Sequence, residues 1–155
     1  MLKALKTLFD DTPPASQPLP GHEQRHLQLA VASVLHEATR VDLSDAPGEH
    51  AAAERALASL FGASPADSKA LLAEGGERAR RLTSYYAPVS VIKRDFDLPK
   101  RVLLIEHLWR IAYADGKLDQ YEDHFVRKIA HLLYVPNTQC ILARNRARPT
   151  HSSRT

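Results

Sequence analysis

The sequence predicts an all-α fold, a single-domain bundle of about seven helices. Three observations lead there. Apolar residues recur at three-and-four spacing through most of the chain, and helix stops and starts such as Gly62, Ser64-Pro65, Leu98-Pro99 and Pro136-Asn137 punctuate that pattern. No segment alternates apolar and polar residues between hairpin turns, so a sheet has nothing to be made from. With 155 residues, 44% of them hydrophobic and 25% charged, the chain is long and apolar enough to bury a core.

Taken in order, Leu2, Leu5, Leu8 and Phe9 fall at helical spacing with Lys3 and Lys6 between them. This predicts a short amphipathic helix that docks on a partner, on a membrane surface or back on the domain, and that frays when alone. Pro13, Pro14, Pro18 and Pro20 forbid helix and give an extended linker, so residues 1–21 read as amphipathic segment plus linker. From Leu27, the positions Ala30, Val31, Val34, Leu35, Ala38 and Val41 mark one face of a long helix. The alanine-rich stretch 51–61 is the next, stopped by Gly62. Ser64, Pro65 and Asp67 supply an N-cap, a first-position proline and a first-turn acid for a helix running to about residue 81, weakened in its middle by Gly75-Gly76, at about 1 kcal/mol per glycine.

Residues 85–93 read as a short or kinked helix because Pro88 interrupts Val89, Val91 and Ile92. Leu98-Pro99 opens a stronger one, apolar over so much of its circumference (Val102, Leu103, Ile105, Leu108, Trp109, Ile111, Ala112) that it should be central. After an acidic turn, Phe125, Val126, Ile129, Leu132 and Leu133 mark a further helix, halted near Val135-Pro136, and Asn137 is placed to cap a last one through Asn145. The ordered domain is thus 22–145. Residues 146–155 read as a basic, disordered tail: Arg144, Arg146, Arg148 and Arg154 have no acidic neighbour in sequence, and no aromatic residue interleaves them to stack on bases, so no specific nucleic-acid binding is expected. An internal echo runs through the chain. Segments 42–61 and 115–134 each run from an Asp that ends one helix to an aromatic that ends the next, with Glu49 and Glu122 at the same offset, which predicts two pseudo-repeated helix-loop-helix halves.

Composition excludes several function classes. Cys140 is the only cysteine, so neither a disulfide framework nor a thiolate-rich zinc site can form within one chain, and a reducing, cytoplasmic setting is expected. No stretch approaches the roughly 20 apolar residues that span a bilayer. The net charge of +3 is mild.

Two patterns bear on chemistry. His22-Glu23-Gln24-Arg25-His26 matches H-E-x-x-H, in which two histidines one helical turn apart bind zinc and the glutamate activates water. It follows a proline-rich linker at the polar start of a helix, so the expected role is a favourable helix start, with a surface zinc site or a zinc hydrolase as the remote alternatives. The turn Ala114-Asp115-Gly116-Lys117-Leu118-Asp119-Gln120-Tyr121-Glu122 crowds carboxylates onto a tight connection, as hard cations require. Its spacing is not an EF-hand. Asp119 with Glu122 also has the form of a capping box, and Gly116 suits a left-handed helix end, so capping and cation binding are both open readings. Glu106-His107 and Asp123-His124 offer nitrogen ligands of lower weight. Cys140 with His131 upstream has no third partner for nucleophilic catalysis. Tyr85, Tyr86 and Trp109 lie in apolar stretches and are expected in the core.

Segments 27–42, 101–122 and 132–135 resemble the TerB-like tellurite-resistance family, especially its small stand-alone bacterial members, and the likeness extends over about residues 22–148. The most specific stretch joins the helix ending Ala112-Tyr113, the Ala114-Asp115-Gly116 turn and Glu122 in one register. The resemblance implies a helical fold of repeated halves, related also to the N-terminal domain of a DnaJ-type co-chaperone, in stress-response or metal-responsive scaffolds with no assigned catalytic activity. It implies acidic positions at Asp42 and Glu49 in the first half and Asp115, Asp119 and Glu122 in the second, and a scaffold often found at the membrane. From the residues themselves, a divalent cation (Ca²⁺, Mg²⁺ or Zn²⁺) at the acidic positions, protein partners and a cytoplasmic protein are expected, with peripheral membrane contact through the amphipathic residues 1–9. The first half departs from the pattern: Leu43 stands where glycine is expected, Ala46 where a second aspartate belongs, and Pro47-Gly48 rewrites the turn.

Overall fold

Local chemistry at the turns sets most of the helix boundaries. The computed structural model describes residues 21–40 and 47–149, and within them the chain forms seven helices: α1 (Gly21–Arg40), α2 (Pro47–Phe61), α3 (Pro65–Ala79), α4 (Tyr86–Asp95), α5 (Leu98–Ala112), α6 (Gln120–Leu132) and α7 (Asn137–Ala147). No strand occurs among the described residues. Ser64 Oγ accepts the Asp67 amide at 3.1 Å, the N-cap the sequence predicts, and at the expected Leu98-Pro99 start Asp97 Oδ1 accepts the Lys100 amide at 3.0 Å; proline stands in the first turn of both helices. Pro88 does not kink α4. It sits in the first turn, where its missing N–H would have no partner in any case, and the Val89 amide still reaches the Tyr85 carbonyl at 3.0 Å.

The boundaries differ from expectation in three places. Helix α2 begins at Pro47, a turn before Ala51, because proline is well suited to a first helical position, and Glu49 therefore lies in a helical turn and not in the connecting loop. Asn137 does not cap α7: Pro136 occupies the N-cap position and no side chain caps the helix. The helix also runs on to Ala147, and Arg146, expected in a tail, donates from Nε to Glu106 Oε1 on α5 at 2.7 Å. The expectations for segment 1–9, the linker, Asp42 and residues 150–155 lie outside the described residues.

Two helices organise the core. Helix α1 packs against α3, α4 and α2, while α5 packs against α7, α2 and α6. Leu35 on α1, Leu57 on α2, Ile105 and Trp109 on α5, and Ile129 on α6 are fully buried, each stabilising the fold by about 1.5–3 kcal/mol through its removal from water. The most extensive contact, between α1 and α3, is made where Gly75 and Gly76 cross α1: a Cβ at Gly75 would stand 2.6 Å from Ala32 Cβ and 2.8 Å from the Ser33 backbone nitrogen. The paired glycines that weaken α3 locally are what let it approach. Trp109 is covered on its faces by the Arg127 and Arg144 guanidinium groups, 5.8 and 6.0 Å from the ring, and its Nε1 donates to the Cys140 carbonyl at 3.1 Å.

Helix α6 ends in a full Schellman motif. The Val135 amide returns to the Ala130 carbonyl at 2.9 Å and the Tyr134 amide to His131 at 3.1 Å, while Arg101 Nη1 donates to the Leu133 carbonyl at 2.7 Å. The left-handed position of this motif is held by Tyr134 at φ 58°, where glycine would be unstrained. No helix among the described residues is long and apolar enough to cross a membrane.

Candidate metal-binding loop

The connection between α5 and α6 is built by its own acidic side chains. After Ala112, the Gly116 amide closes on the Tyr113 carbonyl at 2.8 Å and Gly116 adopts φ 90°, which a side chain would strain. Asp115 Oδ1 accepts the Lys117 amide at 3.1 Å, an Asx turn that fixes the bend. Asp119 Oδ1 then accepts the Tyr121 and Glu122 amides at 2.8 and 3.0 Å, and Glu122 Oε1 accepts the Asp119 amide at 3.4 Å. The expected capping box is present. Asp115 is exposed, Asp119 half-exposed and Glu122 buried, so the loop offers carboxylates at three depths.

The first half meets this loop through the start of α2. A Cβ on Gly48 would lie 3.5 Å from the Ala114 carbonyl, so the backbone beside Glu49 abuts the backbone beside Asp115. Glu49 is the third residue of α2 and Glu122 the third of α6, and both are buried, at 0% and 2% exposure. The offset seen in the sequence is thus an equivalence of position in two helices. Asp42 lies outside the described residues, and among those described no group of three or more His, Cys, Asp or Glu side chains is drawn together closely enough to hold a metal ion. Sequence reasoning missed Gly48, the point where the halves touch, although its place beside Glu49 in the repeat was visible.

The family comparison bears on this loop directly. The sequence model of the tellurite resistance protein TerB family matches residues 28–145, which contain both helix-loop-helix halves and the loop that joins α5 to α6. The chain belongs to the TerB family. No curated protein and no solved structure matches it.

The other sequence candidates occupy different parts of this TerB-family fold. His22 and His26 are both exposed on the first turns of α1, and His26 borders a groove of about 360 Å³ that Leu29, Tyr86 and Val91 also line. Glu106 is buried and accepts Arg110 from its own helix and Arg146 from α7, a structural pairing that joins α5 to α7. His107 is buried beside it; burial, helped by the Arg110 charge, pushes its imidazole down to about 4. Asp123 pairs with Arg127 and His124 is exposed. Cys140 is buried and burial pushes its thiol up, the reverse of what a nucleophile needs. Trp109 is in the core as expected and Tyr85 is half-buried, but Tyr86 is 74% exposed, because it opens α4 on the outer side of the bundle.

Proposed function

We propose that the chain is a non-enzymatic, stress-response binding module of the tellurite-resistance type, whose acidic end takes a divalent cation at the loop 115–122. The observation that supports this reading is the meeting of the α2 start with the α5–α6 loop, where the backbone beside Glu49 abuts the backbone beside Asp115, at the end of the bundle that also carries Asp119 and Glu122. Carboxylate oxygens on adjoining, rigid backbone segments are the donors hard cations select. Asp42, the first-half counterpart of Asp115 in sequence, is the natural further ligand. A second reading, a protein or membrane-surface adaptor without metal, is favoured by the hydrogen bonds that Asp115, Asp119 and Glu122 already make to backbone amides.

NMR titration of the full chain with Ca²⁺, Mg²⁺ and Zn²⁺ separates the two. The cation reading expects saturable shifts at Asp115, Gly116 and Asp119 and a rise in stability of about 2.7 kcal/mol at a hundredfold excess over Kd. Asp119→Ala costs about 1 kcal/mol without cation, through the lost cap. If a cation binds, the variant costs more when the cation is present. An equal cost in both conditions, with flat shifts for all three ions, refutes the cation reading.

A further inference from the structure

A second surface, on the side of α6 away from the core, has chemistry of its own. Three of the four large hydrophobic side chains exposed among the described residues, Tyr86, Tyr121 and Tyr134, line two grooves that share Glu37, Tyr85 and Lys128. One groove encloses about 690 Å³ and the other about 330 Å³, and together they make a trough along α6. On that helix Tyr121, His124, Lys128 and His131 follow one another at spacings of three and four, all exposed, so they form one stripe along it. At 1.5 Å per residue the stripe is about 15 Å long, room for roughly three turns of helix or five extended residues.

Two features mark this trough as a built surface. Tyr134 stands at its end in a left-handed conformation that costs on the order of 1–2 kcal/mol for a side chain, and the ring so placed is 70% exposed. The helix end imposes this conformation and glycine would meet it without strain, so the backbone gives no reason for an exposed ring at this position. The lysines are the second feature. Lys93 Nζ lies 4.1 Å from the Tyr134 ring centroid and Lys128 Nζ 5.3 Å from that of Tyr85, and among the described residues neither has a carboxylate partner. Arg40, at the far end, is already paired with Glu37.

We propose that this trough docks an acidic peptide segment of a partner protein, one that carries aliphatic or aromatic anchors for the tyrosine faces and carboxylates for Lys93 and Lys128. Tyrosine is among the residues enriched at protein-binding hot spots, and the two lysines without carboxylate partners supply the charge that an acidic segment complements. Nucleic acid fits less well. The trough offers two free lysines and carries the Glu37 carboxylate at its waist, where the two grooves meet, whereas a phosphate backbone needs a run of cations. This inference does not depend on a cation at the loop 115–122.

Selection from a random peptide library displayed on phage, with the full chain as bait, tests it. The enriched peptides are expected to be rich in Asp and Glu with Leu, Phe or Trp. The best of them, synthesised and followed by fluorescence anisotropy, should bind Lys93→Gln/Lys128→Gln about tenfold more weakly, and Tyr134→Gly likewise. The tyrosine variant is decisive because glycine relieves the backbone strain, so its melting temperature should hold or rise while binding is lost. Absence of any enriched peptide, peptides without acidic excess, or binding by either variant as tight as by the parent would overturn the proposal. So would displacement of the peptide by a short single-stranded oligonucleotide, or self-association of the chain that Tyr134→Gly abolishes.

Discussion

Replacing Gly75 with alanine sets two effects of opposite sign against each other. Helix propensity alone favours alanine by about 1 kcal/mol. The crossing of α1 and α3 opposes it, since the new methyl would lie 2.6 Å from Ala32 Cβ, 2.7 Å from the Ala32 carbonyl carbon and 2.8 Å from the Ser33 nitrogen. Ordinary carbon contacts lie near 3.5–4.0 Å, so about 1 Å must be recovered, and two of the three atoms are backbone that moves only if the helices separate. Overpacking of this kind costs about 1–3 kcal/mol, and its upper end applies where no side chain can turn aside. The net expectation for Gly75→Ala is therefore a loss of about 2 kcal/mol, or roughly 6 °C in Tm for a chain of this size. Gly76 is the internal control. Its Cβ would meet only the His36 ring, at 2.6 Å, and an imidazole can rotate, so Gly76→Ala should fall within about 1 kcal/mol of the parent. Urea unfolding followed by helical circular dichroism measures both. Ala32→Gly should not rescue Gly75→Ala, because the two backbone contacts persist. A Gly75→Ala protein as stable as the parent, or a larger loss at Gly76, refutes the close-approach argument.

Two further predictions concern buried titratable groups. His107 has a folded value of about 4 against an ordinary 6.5, so between these the unfolded chain binds a proton that the folded chain does not. Stability from this site is full above about pH 6.5, falls as the pH drops, and levels off near pH 4, a change on the order of 3 kcal/mol. His36 is lowered by burial too and acts in the same direction. Urea midpoints across this range should fall more steeply with acid for the parent than for His107→Leu, so that the difference between them shifts toward the parent as the pH rises, and parallel curves would refute the assignment. Cys140, buried with its thiol pushed up, should react with a disulfide reagent only on global unfolding, so its rate should rise with urea as the helical signal is lost; fast labelling of native protein would contradict its placement.

What the sequence made legible was what local chemistry decides. Ser64 and the Asp119–Glu122 box each cap the helix that follows within three residues and were readable as such, whereas at the third cap, Asp97, only the Leu98-Pro99 start was read. Gly75-Gly76 was readable as a weakness and turned out to be the closest contact of two helices, because propensity is a property of one helix and approach a property of two. Arg146 looked like tail because its partner, Glu106, lies forty residues away on another helix. Tyr134 was readable as the aromatic at the end of a repeat, but nothing in its type announces φ 58°, a conformation imposed by the return of the Val135 amide to Ala130.

The same comparison of halves narrows what the acidic positions are for. In the second half, capping accounts for Asp119 and part of Glu122, and an Asx turn accounts for Asp115. In the first half the position matching Asp119 is Ala46, which has no oxygen with which to cap α2, and the matching glycine is Leu43. A reciprocal capping box cannot form there, yet Glu49 is as deeply buried at the third position of α2 as Glu122 is at the third position of α6. The reciprocal box is therefore not what the two glutamates have in common. What the two do share is the place where they sit, at helix starts brought together by the contact of Gly48 with Ala114, and a role at that junction requires both halves even though only one keeps the full acidic sequence.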